Sequence, residues 1–323
     1  MTMSQSTVVQ RLRAFNTEVT KVQDLSPHFR RITFVSDDLR LMGADVQGRT
    51  LDLRVKVMVP SAGNLQPDLN AMMREYPEDW YRRWLQMGPE ARGYMRTYTV
   101  RERRLDAGEV DIDFVLHPPV AGQAPGPAYG WARQAEVGDP MVLLGPNLDA
   151  GPCGGIEFRP GGARRLLLVG DETAVPAIGS ILESLGPDVC GQVVLEVPQA
   201  GDITGLAVPP GLELTWLVRN GHQHGEQLIA EVRRLCGLGA LLCPAGYPGV
   251  AQCEEFEEVD IDKEILWDTA EGQMGAAGGR YAWIAGEAGM VKELRRYLVR
   301  EVGMGRKDIA FMGYWRLGRA ESA

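Results

Sequence analysis

The chain has 323 residues, 45% of them hydrophobic and 24% charged, and 34 Lys and Arg against 43 Asp and Glu leave a formal net charge of −9. That length favours two domains over a single core, and the acidic balance argues against a general binder of nucleic acid or anionic membrane. Five scattered cysteines (Cys153, Cys190, Cys236, Cys243, Cys253) form no C-x-x-C pair, so no disulfide framework, zinc site or cysteine-held iron–sulfur cluster is expected.

The N-terminal "MTMSQSTVVQRLRAF" lacks an apolar signal core, and no later stretch is apolar enough to span a bilayer. The expectation is a cytoplasmic monomer. Its first half has β character. "RRITFVS" (30–36) is β-branched and aromatic, "LDLRVKVMV" (51–59) and "EVDIDFVLH" (109–117) alternate, and "MVLLGP" (141–146) follows a turn. Strands separated by turns predict a small antiparallel barrel or sandwich. Residues 68–93, rich in Met, Trp and Tyr, predict a helical excursion packed over it.

"CGGIEFRPGG" (153–162) has linker composition. Beyond it strands (164–170, 192–197, 213–219, 281–287, 309–316) alternate with helices (176–186, 225–237, 288–303), the rhythm of an α/β domain with a parallel sheet. The expected division is 1–152, 153–162 as linker, and 163–323. An acidic stretch, "EEFEEVDIDKE" (254–264), fits a solvated insertion.

Four places carry candidate chemistry. In "RTYTVR" (96–101), Arg96 and Tyr98 share a strand face, where a guanidinium can fork onto phosphate and a ring can cover a flat heterocycle. Thr99 faces the other way and could reach the same ligand only through its backbone or if the strand bends, and alone the stretch reads first as an ordinary surface strand. In "GPAYGWA" (126–132), Gly126, Pro127 and Ala128 open a short helix whose first amides suit an anion, while Trp131 covers a ring or fills the barrel mouth. His117 is a cofactor contact or a structural histidine. "GDETAVPAI" places Asp171, Thr173 and Ala174 where nucleotide-binding folds seat their ligand. It is not G-x-G-x-x-G, its two acids would repel a pyrophosphate, and Thr173 is a candidate helix cap. "AGE", with Gly286 and Glu287, and "GYWR", with Trp315, lie at strand ends on the same crevice. The histidines of "HQH" (222–224) have no partner cluster in sequence, so no metal site is expected.

In order and spacing, "KVMVP", "RTYTVR", "DIDFVLH", "GPAYGWA", "GDETAVPAI", "TWLVRNG", "AWIAGE" and "GYWRLG" resemble the siderophore-interacting protein family of FAD-dependent ferric-siderophore reductases, within the ferredoxin–NADP⁺ reductase-like superfamily. The resemblance implies a two-domain β + α/β fold: a six-stranded flavin-binding barrel and an NAD(P)H-binding-like α/β domain, with FAD between them. It implies that Arg96 meets the FAD phosphates, Tyr98 stacks on the isoalloxazine, and Thr99 approaches its N5 edge. His117, Gly126, Pro127, Ala128 and Trp131 would line the dinucleotide, and Asp171, Thr173 and Ala174 would lie close to the flavin. Gly286, Glu287 and Trp315 would shield flavin or nicotinamide. Tyr129 and Gly130 stand where the family has a small hydroxyl residue and often a basic one.

The implied reaction reduces ferric siderophore and releases Fe(II), with NADH, NADPH or a ferredoxin as donor and the flavin rather than a side chain carrying the electrons. Lys56 and Arg219 are candidates for a cationic substrate mouth, and Arg295 and Arg296 for a 2′-phosphate seat. A general NAD(P)H:flavin or ferric-chelate reductase, or a non-catalytic siderophore-binding iron-delivery protein, are the alternatives.

Overall fold

The structure, a computed structural model, describes residues 9–61, 66–117, 125–151, 153–237, 266–269 and 279–318. The acidic stretch 254–264, Cys243 and Cys253 lie outside them. Two compact units emerge, one of residues up to Asp24 plus Phe29–Ile156, the other of Leu25–His28 plus the chain from Glu157 onward.

The first unit is a closed antiparallel barrel of β1 (Leu12–Ser26), β2 (Phe29–Val35), β3 (Arg54–Val59), β4 (Tyr94–Arg104), β5 (Glu109–Val115) and β6 (Pro140–Pro146), in the order β1-β2-β5-β4-β3-β6. β6 closes it by pairing with β1 from Leu12↔Pro146 to Glu18↔Pro140, which leaves no sheet edge exposed to pair with another chain. Alternation puts Phe15, Val19, Ile32, Val55, Val57, Ile112 and Phe114 into the core, each at most 2% exposed. The strand expected from residue 51 starts only at Arg54, because Leu51 turns the chain at φ 50°.

Between β3 and β4 lie three short helices, α1 (Leu69–Glu75), α2 (Trp80–Gln86) and α3 (Pro89–Arg92). Trp84, wholly buried, joins Met73 and Leu69 over Met58, Ala14 and Leu144. The side chain of Asn70 accepts from the amide of Ala14 (3.0 Å) and donates to its carbonyl (2.8 Å), tying α1 to β1. The last barrel helix, α4, spans Pro127–Gln134.

In the second unit β7 (Arg165–Gly170), β8 (Cys190–Val197), β9 (Leu212–Val218), β10 (Trp267–Asp268), β11 (Arg280–Glu287) and β12 (Ile309–Trp315) form one sheet, ordered β10-β12-β11-β7-β8-β9. All neighbours are parallel except β10, which pairs antiparallel with β12. The sheet is therefore mixed, not purely parallel. Helices α5 (Val175–Ser184), α6 (Glu226–Gly237) and α7 (Ala288–Arg296) connect the strands. Val291, Leu294 and Leu298 pack with Val232, Ile284 and Phe311. A wider π turn over Tyr297–Glu301 then carries Val302 off the expected stripe, and it is only half-buried.

From β7 the chain steps to β8 and β9 on one side, then returns to place β11 on the other. The strand order thus reverses between β7 and β11, the point at which open α/β sheets bind ligands. Among the described residues no helix is long and apolar enough to cross a membrane.

Candidate functional site

On the barrel, β3 and β4 pair in unbroken register from Arg54↔Thr99 to Val59↔Tyr94. Arg96 and Tyr98 therefore share one face, opposite Val57 and Val55, while Thr97 and Thr99 lie on the other with Lys56 and Arg54. The irregularity in β4 comes one step later, between Val100 and Glu102. Thr99 is 7% exposed and does not turn onto the Tyr98 face, so its side chain is not beside that ring. An approach of Thr99 to a ligand on the Tyr98 face would therefore run through its backbone. Exposed Lys56 donates to the Thr97 hydroxyl at 2.6 Å.

The Tyr98 ring stands 4.5 Å from Phe114, and Phe114 stands 5.7 Å from Trp131, which stacks on Phe34 at 6.1 Å and 17°. Phe34 and Phe114 are fully buried, so they brace two half-buried rings. Sequence reading overlooked these two phenylalanines because inward strand aromatics look like plain core. Half-buried Arg96 donates to the Met95 carbonyl at 2.9 Å.

Helix α4 starts at Gly126, with Pro127 in its first turn and no side chain capping it. Proline's fixed φ suits that position and its missing N–H costs nothing there, while the first-turn amides beyond it have no acceptor within the helix. Gly126 is exposed, and among the described residues a Cβ there would meet nothing within 4 Å. Ala128 is 7% exposed, which leaves its amide as the group to offer. Tyr129 keeps a hydroxyl on this helix, and Arg133, one turn on, donates to it at 3.1 Å. His117 is exposed. The barrel unit thus brings a cation, two braced rings and an uncapped helix start into one domain, a set that fits a flat, phosphate-bearing cofactor.

In the second unit the loop after β7 behaves differently from expectation. Asp171, wholly buried, caps the short turn Glu172–Ala174 by accepting from the amide and hydroxyl of Thr173. Asp171, not Thr173, is the cap. Its other oxygen accepts from the Glu287 amide (2.7 Å) and from Trp315 Nε1 (2.9 Å). Gly286 is required beside it: φ is 141°, and a Cβ would sit 2.6 Å from the Asp171 carboxyl. The structure therefore gathers Asp171, Thr173, Gly286, Glu287 and Trp315 at the point where the strand order reverses. Burial, reinforced by the charge of Glu172, pushes the Asp171 carboxyl up to about 6.

Asp171 and Ala174 are both 0% exposed, the latter packed against Gly170. Two expectations fail here, those for Arg219 and Arg295. Arg219 is not a substrate-facing cation. Its guanidinium forks onto Glu172 (2.8 and 3.0 Å) and reaches Glu196 (2.9 Å), and its side chain is only 15% exposed. Arg295 is buried on Asp268 at 2.9 Å, which removes it from any 2′-phosphate seat, whereas Arg296 is exposed.

His224 was unremarkable in sequence, yet the loop before α6 returns it to Asp171 and Glu172, with its ring edge-on to Trp315 at 5.0 Å. Nearby carboxylates outweigh its burial and raise its pKa above the usual value. The sequence signal was that "HQH" and "GDE" both follow ends of strands assigned to one sheet.

The fold is ferredoxin reductase-like, and two family models divide the chain: a siderophore-interacting FAD-binding domain over residues 18–150 and a siderophore-interacting protein domain over 163–318. The chain belongs to the siderophore-interacting protein family. It is 30% identical over 235 residues to the ferric vibriobactin reductase ViuB of Vibrio cholerae, covering 73% of this chain and 69% of ViuB. It is 32% identical over 229 residues to an uncharacterized protein of Mycobacterium tuberculosis, covering 70% of this chain but just 66% of that protein's length. The crystal structure of a siderophore utilization protein from T. fusca superposes with a TM-score of 0.65 at 25% identity, covering 97% of this chain and 96% of the other.

Proposed function

We propose that the protein is an FAD-dependent ferric-siderophore reductase, acting as a cytoplasmic monomer and taking its electrons from NAD(P)H or a ferredoxin. The observation that carries this reading is the barrel set: Tyr98 and Trp131 braced by Phe114 and Phe34, with Arg96 on the Tyr98 face and the uncapped start of α4. Family membership and the likeness to ViuB support it.

In this reading Arg96 pairs with phosphate by charge-assisted bonds, and Tyr98 and Trp131 cover flat rings and keep water from them. The first-turn amides at Ala128 and Tyr129 receive a second phosphate oxygen, with Gly126 leaving room for its approach and His117 at the rim. FAD held there would supply uptake of electrons in pairs and their release singly, and reduction of Fe(III) to Fe(II) takes one electron per iron. Hard, oxygen-rich chelators hold Fe(II) far less tightly than Fe(III), so reduction frees the metal. Lys56 supplies positive charge toward anionic ferric complexes.

The donor question has its own observation. Amides at the strand reversal usually receive a dinucleotide's pyrophosphate, but here the Glu287 amide is already taken by the Asp171 carboxylate. This favours a donor that does not seat a pyrophosphate there, a ferredoxin or a nicotinamide nucleotide held elsewhere.

The test is reduction of a ferric siderophore under anaerobic conditions, read by a colour-forming ferrous chelator. Arg96→Ala and Tyr98→Ala should lower bound flavin and turnover together. Protein that purifies without flavin and binds siderophore without reducing it would instead support the non-catalytic alternative. Equal turnover on free flavins and simple ferric chelates would support the general reductase.

A further inference from the structure

We propose that Asp171, Glu172 and His224 form a binding site for a divalent first-row transition metal ion, an inference that does not depend on the reductase reading. His224 Nε2 lies 3.5 Å from Asp171 Oδ2 and 3.6 Å from Glu172 Oε2, and one donor atom from each residue falls within 4.8 Å of the others. Those separations are too long for N–H···O bonds. They match the roughly 3.4–3.6 Å between donors that surround one ion at about 2.1 Å in tetrahedral or trigonal fashion.

The second observation is the imidazole itself. Its side chain is 9% exposed, and among the described residues neither ring nitrogen has a hydrogen-bond partner. A buried polar group left unpaired is destabilising, and here the unpaired Nε2 is aimed at two carboxylates.

Charge points the same way. Asp171, Glu172 and Glu196 are all 0% exposed, Glu172 and Glu196 share the Arg219 guanidinium, and among the described residues Glu196 Oε2 has no hydrogen-bond partner. The Glu287 carboxylate, 8% exposed, caps α7 from the same edge. A divalent cation offsets this surplus of buried negative charge. Two carboxylates and one imidazole suit Mn²⁺, Fe²⁺, Co²⁺ or Zn²⁺ better than the oxygen-seeking Ca²⁺ and Mg²⁺ or the thiolate-seeking Cu(I).

Glu172 Oε2 accepts from Arg219 Nη1 at 3.0 Å. Asp171 Oδ2 already accepts from the Glu287 amide and from Trp315 Nε1. An ion there competes with the indole, so Trp315 reports its arrival.

The experiment titrates Co²⁺, and separately Mn²⁺, into the full chain after chelator treatment, with no electron donor or siderophore present. Expected are visible Co²⁺ d–d bands saturating at one ion per chain, a change in tryptophan emission and a raised thermal midpoint. His224→Ala should weaken binding by about tenfold or more, the scale of losing a group that supports a metal site. Trp315→Phe should bind the ion but lose most of the emission change. His224→Gln, closer in size and still polar, stands in if the alanine variant fails to fold. Absence of saturable d–d absorbance, or binding unchanged in the folded His224 variant, overturns the proposal. Failure of the reductase assay would leave it standing, since no step of the titration uses that reaction.

Discussion

Replacing Arg219 with methionine separates a buried structural cation from the solvated one that its position at a strand end suggests. The guanidinium makes three bonds of 2.8–3.0 Å to Glu172 and Glu196, both 0% exposed. Methionine keeps much of the side-chain volume but removes the guanidinium from two buried carboxylates. Breaking a buried ion pair from one side costs about 3–5 kcal/mol, whereas removing an exposed surface charge such as Arg296 costs under about 0.5 kcal/mol. The assay is urea unfolding of the full chain followed by circular dichroism, with Arg296→Ala as the reference. The variant Glu172→Gln in the Arg219→Met background removes one stranded charge and should recover part of the loss. A loss below about 1 kcal/mol in Arg219→Met would refute the reasoning.

Trp84→Ala should destabilise the barrel unit by about 3–5 kcal/mol, the usual range for a large aromatic removed from a core, because Trp84 is wholly buried under α1 and against Met58; calorimetry checks it. Burial alone would raise the Asp111 carboxyl, but two bonds from Arg104 and one from the Thr33 hydroxyl hold it below its ordinary 3.8. A depressed acid stabilises above its unfolded pKa and loses that contribution as pH falls through the folded value. The destabilisation caused by Asp111→Asn at pH 7 should therefore shrink below pH 3.8 in an acid-unfolding series. Burial pushes the Cys153 thiol up to about 11, which leaves about a thousandth of it as thiolate at pH 8. Mass spectrometry after brief alkylation should show exposed Cys190 modified well ahead of Cys153. Arg96→Ala should weaken FAD binding by roughly ten- to a hundredfold, the scale of one charge-assisted hydrogen bond, measured by flavin fluorescence.

Period-2 alternation in residues 109–115 and the change to strand–helix rhythm after residue 163 were visible because they depend on neighbours in sequence. β1 was not, because its outward positions (Asn16, Glu18, Thr20) are polar and break any apolar run over its 15 residues. Arg219 was misread for the same reason that His224 was passed over. The groups that define them lie 47 and 23 residues away for Arg219, and at Asp171 and Glu172 for His224, so only the parallel sheet brings them together. Thr99 followed its strand: alternation alone says that it faces away from Tyr98, and the unbroken register agrees.

The central claim is tested most directly by anaerobic absorbance of the purified full chain, first with NADH, NADPH or reduced ferredoxin, then with a ferric siderophore. The account predicts bound-flavin bands near about 370 and 450 nm that bleach with at least one donor and return as the siderophore is added, with Fe(II) appearing in step. Flavin that bleaches but does not recover with any ferric siderophore, or protein that takes up no flavin, would contradict it.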